Sequence, residues 1–309
     1  MPEFTNMQKI DGMQEKTEFA LGYALENLPG IVTNRNVKIE HNKVFVDAEF
    51  FPSKQHSQAF CYVTRDKNLE IHRDISPALL QFSVCMYQIR KTISETANGK
   101  ESYLDYPFVF TKFSNNAMVL NNMNYRLQVE AVKSEKGIKA SAKISSPRTQ
   151  TQSFSIEAFF GKENSLFSDF GNPAYASQIK DNFLAGFGKI IGAESTERTL
   201  YTMSCFPGVL FDAVENKILM PEDNKVGMFY GSQTLNFDAS TGPNPKEVTF
   251  NLYANPETFG KSIRNQDLKF SATKDNSRVI CQGVFPLKFV RRDNLEQMID
   301  RTRKFEGDK

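Results

Sequence analysis

Apolar and polar positions change period several times along the chain. Lys16 to Asn27 place Phe19, Tyr23, Ala24 and the following Leu28 about one helical turn apart, and Pro29-Gly30 closes the run, so a first short helix is predicted. Val37 and Ile39, then Val44, Val46, Ala48 and Phe50, alternate with polar residues across His41-Asn42, the pattern of a β-hairpin. Ala59 to Thr64 is short, aromatic and β-branched and reads as a further strand or loop edge, followed by a turn at Arg65-Asp66-Lys67-Asn68. From Ser76 to Thr92 the residues Leu79, Leu80, Phe82, Val84, Cys85, Met86 and Ile89 surround a helix almost completely. Ser76 suits its N-cap and Pro77 its first position, and a helix apolar on nearly all sides should be buried. Phe108 to Phe113, Ala117 to Leu120, Tyr125 to Val132, Gly137 to Ser145 and Phe154 to Phe159 then read as antiparallel strands separated by Asn, Lys-Gly and Pro signals.

The second half follows the same order. Ala176 to Ile191 is predicted as a helix, Leu200 to Met203 as a strand, and Phe206 to Val214 as the start of another apolar helix. Met228 to Phe237, Glu247 to Ala254, Leu268 to Thr273 and Arg278 to Phe289 read as strands, and Asp293 to Lys304 as a charged helix with Leu295, Met298 and Ile299 on one side. Laying Pro77-Ala78-Leu79-Leu80 over Pro207-Gly208-Val209-Leu210 gives an offset of 130 residues, which suggests an internal duplication. Residues 1–165 and 166–309 are then two units, joined through the Gly-, Asn- and Ser-rich stretch from Gly161 to Pro173. A long apolar helix followed by four or five strands is solved physically by a sheet that curls around the helix. The expected fold class is therefore α+β, a tandem (double) hotdog with one wrapped helix in each half. An α+β scaffold with two unrelated sheets is the alternative if the repeat is illusory.

Charge and composition narrow the function. The 309 residues carry 38 basic and 36 acidic side chains with no block of like sign, which argues against nucleic acid or a polybasic membrane surface as partner. No apolar run approaches the ~20 residues of a spanning helix, and Met1-Pro2-Glu3-Phe4-Thr5 lacks the basic and apolar regions of an export signal. Cys61, Cys85, Cys205 and Cys281 stand singly, which points to neither a zinc cluster nor a disulfide framework and to a reducing, cytoplasmic compartment. With only His41, His56 and His72, a His-rich metal site is not expected either. Gly186-Phe187-Gly188-Lys189 lacks the spacing of a P-loop, so no cofactor is indicated. The unusual feature is 27 Phe and 10 Tyr against no Trp, which suggests a Phe-lined interior.

Cys205-Phe206-Pro207-Gly208-Val209-Leu210-Phe211-Asp212-Ala213 is similar to the segment with which 3-hydroxyacyl-ACP dehydratases begin their buried helix. That family combines a His-Phe-Pro-Gly stretch with Pro-Gly-x-Leu leading to an acid. Here the two parts are merged, and Cys205 stands where the family has its catalytic His; the first half offers Pro77-Ala78-Leu79-Leu80, with Ser83 in place of the acid. More weakly, Phe51-Pro52-Ser53-Lys54-Gln55-His56, with the later Pro77 helix and Arg90, resembles the A-factor-biosynthesis type of hotdog domain. The resemblance implies acyl thioesters of coenzyme A or acyl carrier protein as ligands. It implies dehydratase-like or thioesterase-like chemistry in lipid or polyketide metabolism, or a non-catalytic hotdog that binds an acyl chain or a partner protein.

Dehydration of a 3-hydroxyacyl thioester needs a base for the α-proton, an acid for the leaving hydroxyl and donors for the carbonyl oxygen. In the resembling dehydratases the His and the acid come from opposite units, which would pair His72 or His56 with Asp212. Pro77 and Ala78 in one half, and Pro207, Gly208 and Val209 in the other, would line the substrate channel at the helix starts. Each residue has a plainer reading beside this one. His72, in Glu70-Ile71-His72-Arg73-Asp74, suits a solvated or capping role, His56 a polar loop, Asp212 a helix-terminal carboxylate and Cys205 a small core residue. Cys205 would be a nucleophile only if a neighbouring base lowered its pKa. Arg291-Arg292 could meet a carrier's phosphate or simply end a strand in solvent. A duplicated hotdog satisfies its main interface internally and leaves sheet edges through which a homodimer would form.

Overall fold

The computed structural model describes residues 21–22, 24–96, 108–146, 148–161, 167–194, 198–222, 224–229, 231–238, 247–261, 266–274 and 278–306. Of the helix expected over 16–27, residues 21–22 and 24–26 are helical, and its start lies outside the described residues. The first half runs through β1 (Val32–Glu40), β2 (Lys43–Phe50), helix α1 (Lys54–Thr64), a 3₁₀ turn (Ile71–Arg73) and helix α2 (Ala78–Thr96). It continues through β3 (Phe108–Asn115), β4 (Tyr125–Ser134), β5 (Gly137–Ser145) and β6 (Gln152–Phe160). The second half has β7 (Tyr175–Lys180), helices α3 (Leu184–Ile191), α4 (Arg198–Ser204) and α5 (Phe206–Glu215), and β8 (Lys225–Phe229). Strands β9 (Gly231–Phe237), β10 (Glu247–Tyr253), β11 (Gln266–Lys274) and β12 (Arg278–Arg291) follow, and helix α6 (Arg292–Glu306) ends the described chain.

All pairings are antiparallel, and the sheet order is β1-β2-β4-β5-β6-β3-β9-β12-β11-β10-β7, with β8 also beside β12. Read outward from the centre, β3-β6-β5-β4-β2 in one half matches β9-β12-β11-β10-β7 in the other, so the second half repeats the first strand for strand. This is the tandem hotdog. The halves meet where β3 pairs with β9, and two pairs of serines touch between them: Ser114 Oγ lies 2.7 Å from Ser232 Oγ across the strands, and Ser83 Oγ lies 2.6 Å from Ser204 Oγ between α2 and α4. These partners are 118 and 121 residues apart, so the repeat spacing at the junction is shorter than the 130 suggested by the Pro77–Pro207 overlay.

At the observed spacing Pro77, which stands just before α2, has its counterpart near the start of α4. Pro207 stands in the first turn of α5, which begins at Phe206 as the apolar pattern predicts, and a proline is tolerated there because a first-turn N–H has no intrahelical acceptor. The segment expected as a strand before it, Leu200 to Met203, is instead helical, so two short helices, α4 and α5, follow one another with a turn at Cys205. The first half keeps its 19-residue helix: Leu79, Leu80, Phe82, Val84, Cys85, Met86, Ile89 and Ile93 are all buried against β2, β4, β5 and β6.

The structure differs from the predicted elements at further places. Ala59 to Thr64, expected as a strand or a loop edge, is the last part of α1, started by Ser53 and ended by Arg65 in the left-handed conformation at φ 61°. Leu200 to Met203 is also helical, within α4. Ala176 to Ile191 divides into β7, which alternates in exposure, and α3. Ala117 to Leu120 contributes only the bridge between Ile75 and Leu120. On α6, Leu295 and Ile299 are buried as expected, but Met298 is 40% exposed.

The start of α1 bears on stability. His56 is buried; its Nδ1 accepts from the Ser53 backbone N–H (3.1 Å) and lies 2.7 Å from Ser53 Oγ, while the Ser53 hydroxyl accepts from the His56 N–H. The Pro29 carbonyl, 2.7 Å from Nε2, can only accept, so Nε2 carries the ring proton. Desolvation holds the imidazole pKa below its ordinary ~6.5, with the Pro29 carbonyl opposing. Between the lowered folded value and ~6.5 the unfolded chain binds the extra proton, so stability falls as pH falls through that window. Urea midpoints should drop from about pH 7.5 to about pH 5.5, and more shallowly in His56→Gln, which has no ring to protonate. Parallel pH profiles for the two proteins would remove His56 as the cause.

Candidate functional site

The site is built on the return of the chain from α1 to α2. Arg65 reverses the backbone at the end of α1, so the Asp66 N–H bonds back to the Cys61 carbonyl at 2.8 Å and its side chain is buried at the helix end. Asp66 Oδ1 accepts the Asn68 N–H at 3.0 Å, and Oδ2 lies 3.0 Å from His72 Nε2. The His72 N–H reaches the Asn68 carbonyl at 3.0 Å, and Asn121 Nδ2 holds the His72 carbonyl at 2.9 Å. Since a carboxylate accepts, Nε2 donates to Asp66, and in the neutral imidazole the lone pair is then on Nδ1. That Nδ1 is buried and has no protein partner among the described residues.

Asp66, Asn68 and His72 line a cavity of about 290 Å³. Its apolar wall comes from both halves: Ile71, Ile75, Pro77, Ala78 and Leu79 on one side, Pro207, Leu210, Phe211, Val214 and Phe229 on the other. This is close to the lower end of the ~300–1,000 Å³ range of small-molecule pockets. In the first turn of α2 the Leu80 N–H reaches the Pro77 carbonyl at 3.0 Å, while the Ala78 and Leu79 amides precede any intrahelical acceptor and carry the positive end of the dipole, so these two offer donors to an oxygen placed there. Lys225 and Arg292 also line it; Lys225 Nζ pairs with Glu222 at 2.5 Å, and Arg292 with Glu70 at 3.2 Å. Leu295 of α6 completes the wall.

The residues named from sequence divide between places. His72, Pro77, Ala78 and Pro207 lie in this cavity. Asp212, Cys205, Gly208 and Val209 instead line a second, small cavity of about 20 Å³ with Tyr201 and Arg65. Asp212 Oδ2 there lies 3.5 Å from Ser177 Oγ. The structure thus sets His72 and Asp212 in separate cavities; the carboxylate beside His72 is Asp66, six residues earlier in the same half. Leu210, Phe211 and Val214 face the larger cavity, so on α5 the helical period turns Asp212 to the other side. Cys205 is buried and its thiol pKa is pushed up to about 12 by desolvation, so it stays protonated and packs as a small core residue. His56 is a buried helix cap rather than a loop residue or a base. Gly208 has a packing role: a Cβ would stand 2.4 Å from the Thr64 carbonyl, so α5 crosses the end of α1 closely only because this residue is glycine.

Asp66 was legible only as part of a turn, and Gln81 and Asn115, which also line the cavity, carried no sequence signal. The signal for Asp66 was its spacing to His72 across a segment that had to reverse direction. Donor atoms of Cys61, Asp66 and His72 lie within 4.8 Å of one another. As a ligand set it is already committed: both Asp66 oxygens accept hydrogen bonds, and the Cys61 thiol is held protonated by burial and by the Asp66 charge.

No protein-family model matches the chain, and no curated protein matches it. Among solved structures it is similar to a MaoC-like dehydratase, with 8% identity and a TM-score of 0.51 over 86% of this chain and 100% of that one. It is also similar to the 12:0-ACP thioesterase from Umbellularia californica, with 8% identity and a TM-score of 0.51 over 80% of this chain and 94% of that one. At such identities the likeness is one of fold, and that fold is the hotdog.

Proposed function

We propose that this chain holds an acyl thioester in the larger cavity and moves water across the Cα–Cβ bond, as a 3-hydroxyacyl-thioester dehydratase or, in reverse, an enoyl-thioester hydratase. The observation that carries the reading is the His72–Asp66 pair in the wall of an apolar cavity at the N-terminus of α2. The names of the two structural neighbours support acyl thioesters as the ligand class, one being a dehydratase and the other an acyl-ACP thioesterase.

In the elimination direction His72 Nδ1 takes the α-proton, and the electron pair of that C–H bond moves into the thioester as an enolate. The amides of the first turn of α2 stabilise the enolate oxygen. The enolate collapses to form the Cα–Cβ double bond and breaks the Cβ–O bond, and the proton on His72 goes to the departing hydroxyl, which leaves as water. Asp66 holds the imidazole in the required tautomer and stabilises the imidazolium while it carries the proton. One histidine serves as base and then acid, so no carboxylate from the second half is required. Lys225 and Arg292 suit the phosphate of coenzyme A or of an acyl carrier arm; a cytoplasmic setting and a homodimer through the exposed edge strand β1 belong to the same proposal.

The test is mass spectrometry of the protein with a panel of 3-hydroxyacyl- and 2-enoyl-CoA thioesters, native for bound ligand and denaturing for product. Loss or gain of water supports the reading; release of free thiol would replace it with a thioesterase, and ligand bound but unchanged with a binding module. Binding of no thioester would leave the proposal without a substrate.

A further inference from the structure

The cavity wall contains polar atoms that neither the apolar chain nor the His72–Asp66 pair uses. Ser76 and Gln81 are each 2% exposed, and Ser76 Oγ, Gln81 Oε1 and Asn115 Oδ1 are buried with no protein partner among the described residues, although all three residues line the cavity. The orientation of both amides is settled by what they already bond. Gln81 Nε2 donates to the Ser76 carbonyl at 3.0 Å, and Asn115 Nδ2 donates to the Phe229 carbonyl at 3.2 Å. A carbonyl only accepts, so each side chain has spent its NH₂ on the backbone and retains an unpaired oxygen.

Two acceptors, on α2 and at the end of β3, and the hydroxyl of Ser76, two residues before α2, thus stand unpaired on residues that line one cavity; Ser76, expected as the N-cap of α2, caps nothing, because the helix begins at Ala78 with Pro77 in that position. Buried polar groups are normally paired, and one left unpaired is unfavourable unless a ligand or water satisfies it. The complement of two carbonyl oxygens is a donor. An unsubstituted alkyl chain brings no donor to either oxygen, whereas a hydroxyl on the chain does.

We propose that Ser76, Gln81 and Asn115 form a specificity subsite for a hydroxyl group on the acyl chain beyond the reacting carbons, so that the preferred substrates are hydroxylated acyl thioesters. This rests on the acyl-thioester reading of the same cavity. A site built to hydrogen-bond a substrate hydroxyl discriminates against the analogue lacking it far more strongly than an apolar pocket discriminates by size.

The experiment compares matched acyl-CoA pairs of equal chain length, with and without an additional hydroxyl past Cβ. Dissociation constants and kcat/KM are measured for the wild type and for Gln81→Met, Asn115→Leu and Ser76→Ala. The wild type should prefer the hydroxylated member by roughly tenfold or more. Gln81→Met and Asn115→Leu should lose most of that preference while binding the plain chain as well as before or better. Equal affinity of the wild type for both members overturns the subsite, with no dependence on how any variant folds. Variants that weaken both members equally overturn it too, by assigning the acceptors to amide N–H groups of the carrier arm. If neither member binds, the acyl-thioester reading fails along with the subsite; if both bind without discrimination, only the subsite fails.

Discussion

His72→Gln should lower kcat/KM for hydration of a 2-enoyl-CoA by about 10²- to 10⁴-fold, the range spanned by loss of a positioned acid–base group, while the substrate still binds. Glutamine occupies similar space and keeps polar atoms beside Asp66, but it has no lone pair basic enough to take a proton. Asp66→Asn should cost nearly as much by a different route. Its Oδ1 can still accept the Asn68 N–H, which leaves the amide NH₂ facing His72 Nε2 where the carboxylate now accepts. A donor there forces the ring proton to Nδ1, the atom that must be the base, so the tautomer is inverted while the geometry is kept. Asp212→Asn and Cys205→Ala are the controls, because both residues line the other cavity, and each should leave kcat/KM within about tenfold of wild type. Native mass spectrometry separates binding from turnover. Retention of more than a tenth of wild-type activity by His72→Gln, with binding intact, would take the catalytic role away from the pair.

The contrast between Asp66 and Asp212 shows where sequence reasoning held and where it stopped. Alternation in β2, β4 and β5 and the all-round apolar pattern of α2 report burial directly, so the sheet strands, the central helix and the duplicated order were legible. The short apolar runs of α1 and α4 were not, because a run of four to six residues has no period long enough to separate strand from helix. The cap at Ser53 was the better signal for α1. The site failed to appear for a related reason. Pairing His72 with Asp212 relied on a motif centred on Pro207; that proline does stand in the first turn of α5, but the helix turns Asp212 away from the cavity that holds His72. Asp66 and His72 are brought together by a left-handed residue and a 3₁₀ turn, local geometry with no periodic signature. The unpaired oxygens of Gln81 and Asn115 depend on which backbone carbonyl each amide found, which only tertiary structure decides.

The largest expected effect on stability is at Phe206. Its ring is fully buried and meets Phe285 at 4.5 Å, Phe270 at 5.4 Å, Phe229 at 5.6 Å and Phe250 at 5.9 Å between centroids. Phe285 in turn lies 6.0 Å from Phe113, which touches Phe82 at 5.1 Å and Phe154 at 5.8 Å, so the aromatic chain crosses from the second half into the first. Phe206→Ala removes the ring at the hub, and neighbours held by β10, β11 and β12 cannot close the space. The loss should be about 3–5 kcal/mol, the range for Phe→Ala in a close-packed core, read as a lower urea midpoint at unchanged slope. Because the cluster spans the junction, far-UV circular dichroism and tyrosine fluorescence should shift together as one transition. Two separated transitions, with only one displaced, would show that the halves unfold independently and that the aromatic chain does not couple them. Phe305→Ala is the reference, since that ring is 80% exposed and its loss should stay within about 0.5 kcal/mol. Phe229 is shared between this cluster and the cavity wall, so the same substitution should also loosen the acyl site. In Phe206→Ala, acyl-CoA affinity should fall at urea concentrations where the protein is still folded, whereas unchanged affinity there would separate the core from the cavity.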